Sequence, residues 1–185
     1  NADSDDDNDG VPDSLEIQAG RNSLGFDYMA AVGAKFSCAM DNSGVVCWGD
    51  DADGKTSVPF LSNPIQVSAG LEHACAIDDT GVVCWGKDSE GNTIAPILTN
   101  PLKVSAGNLH TCALDDTGIE TEVVCWGNNA NNRSTPPPLS NPTEIGSGHE
   151  HTCAIDDSGV VCWGRKANKR GQIPDNLVNP TQLSS

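Results

Sequence analysis

The sequence predicts an all-β repeat array, and three observations carry that prediction. A cysteine-bracketed motif, Phe36-Ser37-Cys38-Ala39-Met40-Asp41 followed by Val45-Val46-Cys47-Trp48-Gly49, returns at Cys75/Cys84, Cys112/Cys125 and Cys153/Cys162. Its first cysteines lie 37, 37 and 41 residues apart, a period that marks a stacked supersecondary unit. Each copy places two short β-prone runs around an Asp/Gly turn, the signature of a hairpin. The composition agrees: 19 glycines and 11 prolines supply turns, while 4% aromatic residues allow only a thin core.

The first element is an acidic leader over residues 1–27. Residues 1–16 hold seven of the chain's acids and no Lys or Arg, so almost half of the net charge of −16 is local. Asp5 to Glu16 fits D-x-D-x-D-G-x5-E, the calcium-loop pattern. Hard calcium takes six to eight oxygens. Carboxylates from Asp5, Asp7, Asp9, Asp13 and Glu16, with the Val11 carbonyl, provide such a set, and Gly10 permits the sharp turn. Asp13 and Glu16 also suit a short helix that stops near Gly20. The segment resembles the bacterial thrombospondin type 3 calcium repeat over residues 3–24. The resemblance implies calcium as the cofactor, held as a structural clip at a subunit contact; the alternative is an acidic solvated tail.

The copies follow. Each begins with a short strand ending at glycine (Gly33, Gly70, Gly107, Gly148), continues through the hairpin, and closes at Asn-Pro (Asn63-Pro64, Asn100-Pro101, Asn141-Pro142, Asn179-Pro180). Strands paired around the Asp-Asp-Thr-Gly turn set Cys75 opposite Cys84, and likewise Cys38–Cys47, Cys112–Cys125 and Cys153–Cys162. The third copy lengthens its hairpin by four residues, Ile119 to Glu122, an even number that keeps its cysteines aligned. Each bridge is worth roughly 2–3 kcal/mol on the chain-entropy model. Zinc is a poor reading, because eight residues separate most pairs where metal ligands are separated by two to four. Four disulfides imply an oxidising, extracellular compartment.

Trp48, Trp85, Trp126 and Trp163 are expected to pack between successive copies rather than to stack on carbohydrate. His73, His110 and His151 occupy the position of Phe36, so they read as strand residues, not as ligands or bases; His149-x-His151 is the one candidate chelate outside the leader. The hairpin-tip Asp pairs read as turn residues, Pro136-Pro137-Pro138 as a stiff inter-blade loop, and Asn132-Arg133-Ser134 as a glycosylation sequon.

The motif His-Thr-Cys-Ala-Leu-Asp-Asp-Thr-Gly … Val-Val-Cys-Trp-Gly resembles the regulator-of-chromosome-condensation repeat in its cysteine-rich bacterial form, over residues 28–185. The resemblance implies β-propeller blades at 28–64, 65–101, 102–142 and 143–180. It does not imply the nucleotide-exchange activity of the nuclear member. The expected fold is therefore a partial or oligomer-completed β-propeller of four short disulfide-stapled blades. Relatives use seven blades, so four leave two faces open, and the chain, which starts at Asn1, reads as a mature protein or an excised fragment.

Thr181-Gln182-Leu183-Ser184-Ser185 matches Ile65-Gln66-Val67-Ser68-Ala69, the first strand of a blade. This terminal strand is expected to complete a blade of the next subunit by strand addition, giving a head-to-tail filament or ring. The alternative is a truncated propeller whose end packs on its own last blade. A pI near 4.2 argues against nucleic acid or anionic membrane as partner, and no run approaches the ~18–20 apolar residues of a membrane span. No nucleophile–base constellation clusters, so the chain is read as non-enzymatic. Its expected partner is itself, with another extracellular protein, gripped by the loop face, as the second class.

Overall fold

The computed structural model describes residues 29–41, 43–165, 173–174, 177–178 and 180–183. The proposed calcium ligands Asp5, Asp7, Asp9, Val11, Asp13 and Glu16 and the short helix lie outside these residues.

Among the described residues, twelve strands form four separate three-stranded antiparallel sheets, each in sequence order. Blade 1 is β1 (Met29–Val32), β2 (Phe36–Asp41) and β3 (Gly44–Gly49). Blade 2 is β4 (Gln66–Ala69), β5 (His73–Asp78) and β6 (Gly81–Gly86). Blade 3 is β7 (Pro101–Ala106), β8 (His110–Asp116) and β9 (Thr121–Gly127). Blade 4 is β10 (Glu144–Ser147), β11 (His151–Asp156) and β12 (Gly159–Gly164). The first strands β1, β4, β7 and β10 neighbour one another in turn and line one axial groove of about 370 Å³. The result is an open, incomplete propeller.

The hairpins close as their residues dictate. Asp78 Oδ1 accepts from Thr80 N at 2.8 Å and Thr80 Oγ1 at 2.6 Å, and Gly81 at φ +116° completes the reversal. Asp78 Oδ2 accepts from Ser62 N at 2.9 Å, and Asn63 Nδ2 donates to Asp79 Oδ2 at 2.6 Å. In blades 2 to 4 the tip thus holds the linker arriving from the preceding blade, as Asp115 does for Thr99 and Asn100, and Asp156 and Asp157 for Ser140 and Asn141. The tip Asp pairs are turn and linker-binding residues. In the third copy Cys112 and Cys125 remain opposite each other, as do Cys38/Cys47, Cys75/Cys84 and Cys153/Cys162. All four pairs are disulfides, with Cα–Cα distances of 4.0–4.1 Å.

The period-2 alternation of a strand explains the core. In blades 2 and 3 one face points to the next blade and the other to the preceding one, while blades 1 and 4 each have one face in a seam. Phe36, Cys38 and Met40 of blade 1 meet Val67, Ala74, Ala76 and Trp85 of blade 2. Cys75 and Ile77 meet Val104, Ala113 and Trp126, and Cys112 and Leu114 meet Ile145, Ala154 and Trp163. The core of the described residues is therefore three inter-blade seams, with alanines from the middle strands and tryptophans from the third strands.

Candidate protein interface

Each seam is tied by polar contacts that recur from copy to copy. Trp85 Nε1 donates to Lys55 O at 3.0 Å, Trp126 Nε1 to Asn92 O at 3.0 Å, and Trp163 Nε1 to Arg133 O at 2.9 Å. Lys55, Asn92 and Arg133 each lie seven residues after a tryptophan, at one repeat position, and all three are buried. A second tie joins histidine to hydroxyl. His73 Nε2 and Thr111 Oγ1 are 2.8 Å apart, and Thr111 Oγ1 donates to Asn92 O at 3.0 Å. Since the hydroxyl proton goes to Asn92, Thr111 accepts from His73, which fixes the Nε2–H tautomer. His110 repeats this with Thr152 at 2.8 Å. Burial drives the His73 pKa down to about 4. His110 falls to about 3, from burial first and then the positive charge of Arg133. Both imidazoles are neutral structural donors.

The seam between blades 1 and 2 has Phe36 and Ala74 at these two positions, an apolar pair in place of histidine and hydroxyl. Sequence reasoning placed the histidines on strands and the tryptophans between copies but missed this relay. Its signal is the joint change of residue type one blade apart. Nearer the axis, Gln66 Oε1 accepts from Val104 N at 2.8 Å and Gln66 Nε2 donates to Val104 O at 3.2 Å. Ser68 Oγ accepts from Ala106 N at 3.0 Å, Ser105 Oγ from Ser147 N at 2.8 Å, and Lys103 forms an ion pair with Glu144.

The two end faces differ from these seams. Trp48 is 54% exposed, against 7%, 9% and 6% for Trp85, Trp126 and Trp163. Ala39 and Ser37 on the same face are half-buried, whereas Ala76 and Ala74 are buried. Blade 4 presents His151 and Cys153 half-buried at its far face. Of the expected assembly residues, Gln182 and Leu183 line the axial groove beside the first strands, and Thr181–Leu183 forms no strand with the four sheets. Ser184 and Ser185 lie outside the described residues. Phe60 and Ile97, at one repeat position, are 92% and 102% exposed.

Asn108 Nδ2 lies 3.2 Å from His149 Nε2, and among the described residues no three His, Cys, Asp or Glu side chains are grouped to hold a metal. No helix among them is long and apolar enough to cross a membrane. The four disulfides point to an extracellular location.

Comparison with known proteins agrees with this architecture. The chain is similar to the CRINKLY WD40 ectodomain of the Arabidopsis thaliana receptor kinase ACR4, at 28% identity and a TM-score of 0.58 over 74% of this chain and 49% of that one. It is similar to the ectodomain of the Physcomitrella patens receptor kinase CR4, at 23% identity and a TM-score of 0.63 over 74% and 40%. Prp20p of Saccharomyces cerevisiae, studied for its binding to Gsp1p and histones, shares the fold at 15% identity and a TM-score of 0.62 over 74% and 44%. The chain thus spans less than half the length of these structures. No curated protein matches the sequence. The model of the regulator of chromosome condensation (RCC1) repeat matches residues 65–92, 102–133 and 143–172, so blades 2, 3 and 4 carry RCC1-type repeats.

Proposed function

We propose that this chain is a non-enzymatic extracellular structural protein that joins head-to-tail with copies of itself, as a filament or a ring. One observation carries the reading: the outer face of blade 1 keeps the residues of an interior seam, Ala39 and the half-exposed Trp48, where a preceding blade would stand. A half-exposed indole beside a half-buried alanine on an uncovered sheet face suits protein docking. Blade 4 offers the complementary face, with His151, Cys153 and Ile155 at the positions of His73, Cys75 and Ile77. Residues 181–185 repeat the first strand of a blade and would supply that strand where two copies meet. Asp5, Asp7, Asp9, Val11, Asp13 and Glu16 would hold calcium and stabilise the N-terminal segment beside that contact.

Sedimentation velocity of the purified chain, with calcium and with chelator, tests this. Species larger than the monomer, growing with concentration and lost in Trp48→Ala and in a 181–185 deletion, are expected. A monodisperse monomer at all concentrations overturns it. That outcome would favour a second reading, a binding module for another extracellular protein. The fully exposed Phe60 and Ile97 at one repeat position support that reading, as do the receptor ectodomains among its structural relatives.

A further inference from the structure

We infer that residues 20–26 are a further copy of the inter-blade linker and dock on blade 1 of their own chain, where the Arg21 carbonyl accepts the Trp48 indole N–H. This inference goes beyond the head-to-tail reading and does not rest on it.

The linkers between blades share one task. Lys55, Asn92 and Arg133 each give their carbonyl to the tryptophan of the next blade, at 3.0, 3.0 and 2.9 Å from the indole nitrogens of Trp85, Trp126 and Trp163. Where a threonine stands opposite the tryptophan, its hydroxyl joins on the same carbonyl. Thr111 Oγ1 lies 3.0 Å from Asn92 O, and Thr152 Oγ1 lies 3.4 Å from Arg133 O. Three residues further on, Val58 and Ala95 turn inward onto the seam, whereas Phe60 and Ile97, two positions later, are exposed. Blade 1 has the same pair of donors, Trp48 and Ser37, opposite each other in its sheet. Among the described residues no linker carbonyl meets them.

The leader carries the missing linker. Gly20-Arg21-Asn22-Ser23-Leu24-Gly25-Phe26 aligns without gaps on Gly54-Lys55-Thr56-Ser57-Val58-Pro59-Phe60. Arg21, the only Lys or Arg before Lys35, falls at the position of Lys55 and Arg133. Leu24 falls at that of Val58 and Ala95, and Phe26 at that of Phe60 and Ile97. Two residues separate Phe26 from Met29, where five separate Phe60 from Gln66. The omitted stretch is the one that holds Ser62 and Asn63, which the tip of blade 2 binds through Asp78 and Asp79. Blade 1 shows the matching change, with Asn42 where the other blades have Asp79, Asp116 and Asp157. A tip with no such linker to hold needs no second carboxylate. The reach suffices: Met29 and Trp48 stand two strands and three register positions apart, roughly 14 Å, and the residues from Arg21 to Met29 extend to about 26 Å. The tether also favours this segment over a linker from a second copy, since its effective concentration at Trp48 is on the order of millimolar. It takes the place that Lys55 takes on Trp85 and leaves Ala39 to a neighbouring blade, as Ala76 is left to blade 1.

Exchange of the indole N–H groups, followed by NMR on the full chain, tests the docking. In wild type the Trp48 signal should be protected about tenfold over a free indole, equally at every protein concentration. Replacing residues 20–26 by a Gly/Ser run of equal length should abolish that protection. Trp85, Trp126 and Trp163 should keep theirs, which shows that the blades remain folded. Leu24→Ser should lose most of the protection, whereas Phe26→Ser, at the outward position, should keep it to within about twofold. Undocking is local, so the melting temperature should stay constant. A Trp48 indole that exchanges at the free rate in wild type, or stays protected after the replacement, overturns the inference. Protection that grows with concentration assigns Trp48 to a second copy and overturns it too. A chain that stays monomeric with Trp48 protected removes the head-to-tail reading and leaves the docked linker standing.

Discussion

His73 and Thr111 are joined across the seam between blades 2 and 3 by a hydrogen bond of 2.8 Å, and Thr111 passes its own proton to the Asn92 carbonyl. The imidazole therefore serves as a neutral donor at the centre of the array. Three elements from two blades meet on that one hydroxyl, which makes the pair sensitive to pH in a definite direction.

Histidine protonation sets the first prediction. The folded pKa values of His73 and His110, about 4 and about 3, lie below the ordinary 6.5. Between these values the unfolded chain binds more protons than the folded one, so stability is complete above pH 6.5 and falls as pH drops toward 4. The loss is on the order of 3 kcal/mol for His73 at the lower end. Carboxylates contribute a separate loss below that window: hydrogen bonds from Ser43 hold Asp41 below its usual range, and those from Lys55 and Ala52 do so for Asp50. Thermal melting followed by circular dichroism from pH 8 to 4 should show the decline. The double variant His73→Phe, Thr111→Ala should remove the His73 share of the decline and leave that of His110.

Tryptophan position sets the second. Trp126→Ala opens a cavity in a closed seam and strips Asn92 O of a donor, for an expected loss of about 3–5 kcal/mol. Trp48→Ala touches an exposed ring and should change monomer stability by less than about 1 kcal/mol. Urea denaturation of the monomer checks the contrast. Equal losses would show that Trp48 is an interior residue.

The third concerns the staples. Replacing Cys75 and Cys84 together by alanine removes a bridge that closes a nine-residue separation, for an expected loss of about 2–3 kcal/mol. The Cys153–Cys162 bridge stands in the last blade, where Cys153 is only half-buried. Its loss should loosen blade 4 locally while blades 1 to 3 keep their hydrogen-exchange protection.

How far these features were legible in the sequence follows from their range. Hairpins and disulfides are local, and Cys75, Asp78, Gly81 and Cys84 announce them within ten residues. Face assignment follows from alternation, which separates Cys75 and Ile77 from Ala74 and Ala76. The His73–Thr111 relay spans 38 residues, and neither residue is unusual within its own copy. Only comparison of Phe36 with Ala74 and of His73 with Thr111 exposes it. Trp48 and Trp85 are identical in local sequence, yet what covers each is decided by the neighbouring blade. Thr181–Leu183 copies a strand sequence but forms no strand, because a strand exists only where a partner closes its ladder.

Glycine at the axial ends sets the last prediction. A Cβ on Gly70 would lie 2.1 Å from Gly107 O, a backbone atom of the next blade, and 3.0 Å from the His73 ring. Neither can retreat, because Gly107 O accepts from Leu71 N at 3.1 Å and His73 is held by Thr111. Gly70→Ala must therefore pry blade 2 from blade 3, with an expected loss of more than about 3 kcal/mol, the upper range for overpacking. Gly118→Ala is the control: it sits in the protruding hairpin with nothing nearby, and its φ of +80° alone should cost about 1–2 kcal/mol. Chemical denaturation should separate the two variants clearly. Equal effects would mean that backbone conformation, rather than the approach of one blade to the next, keeps Gly70 a glycine.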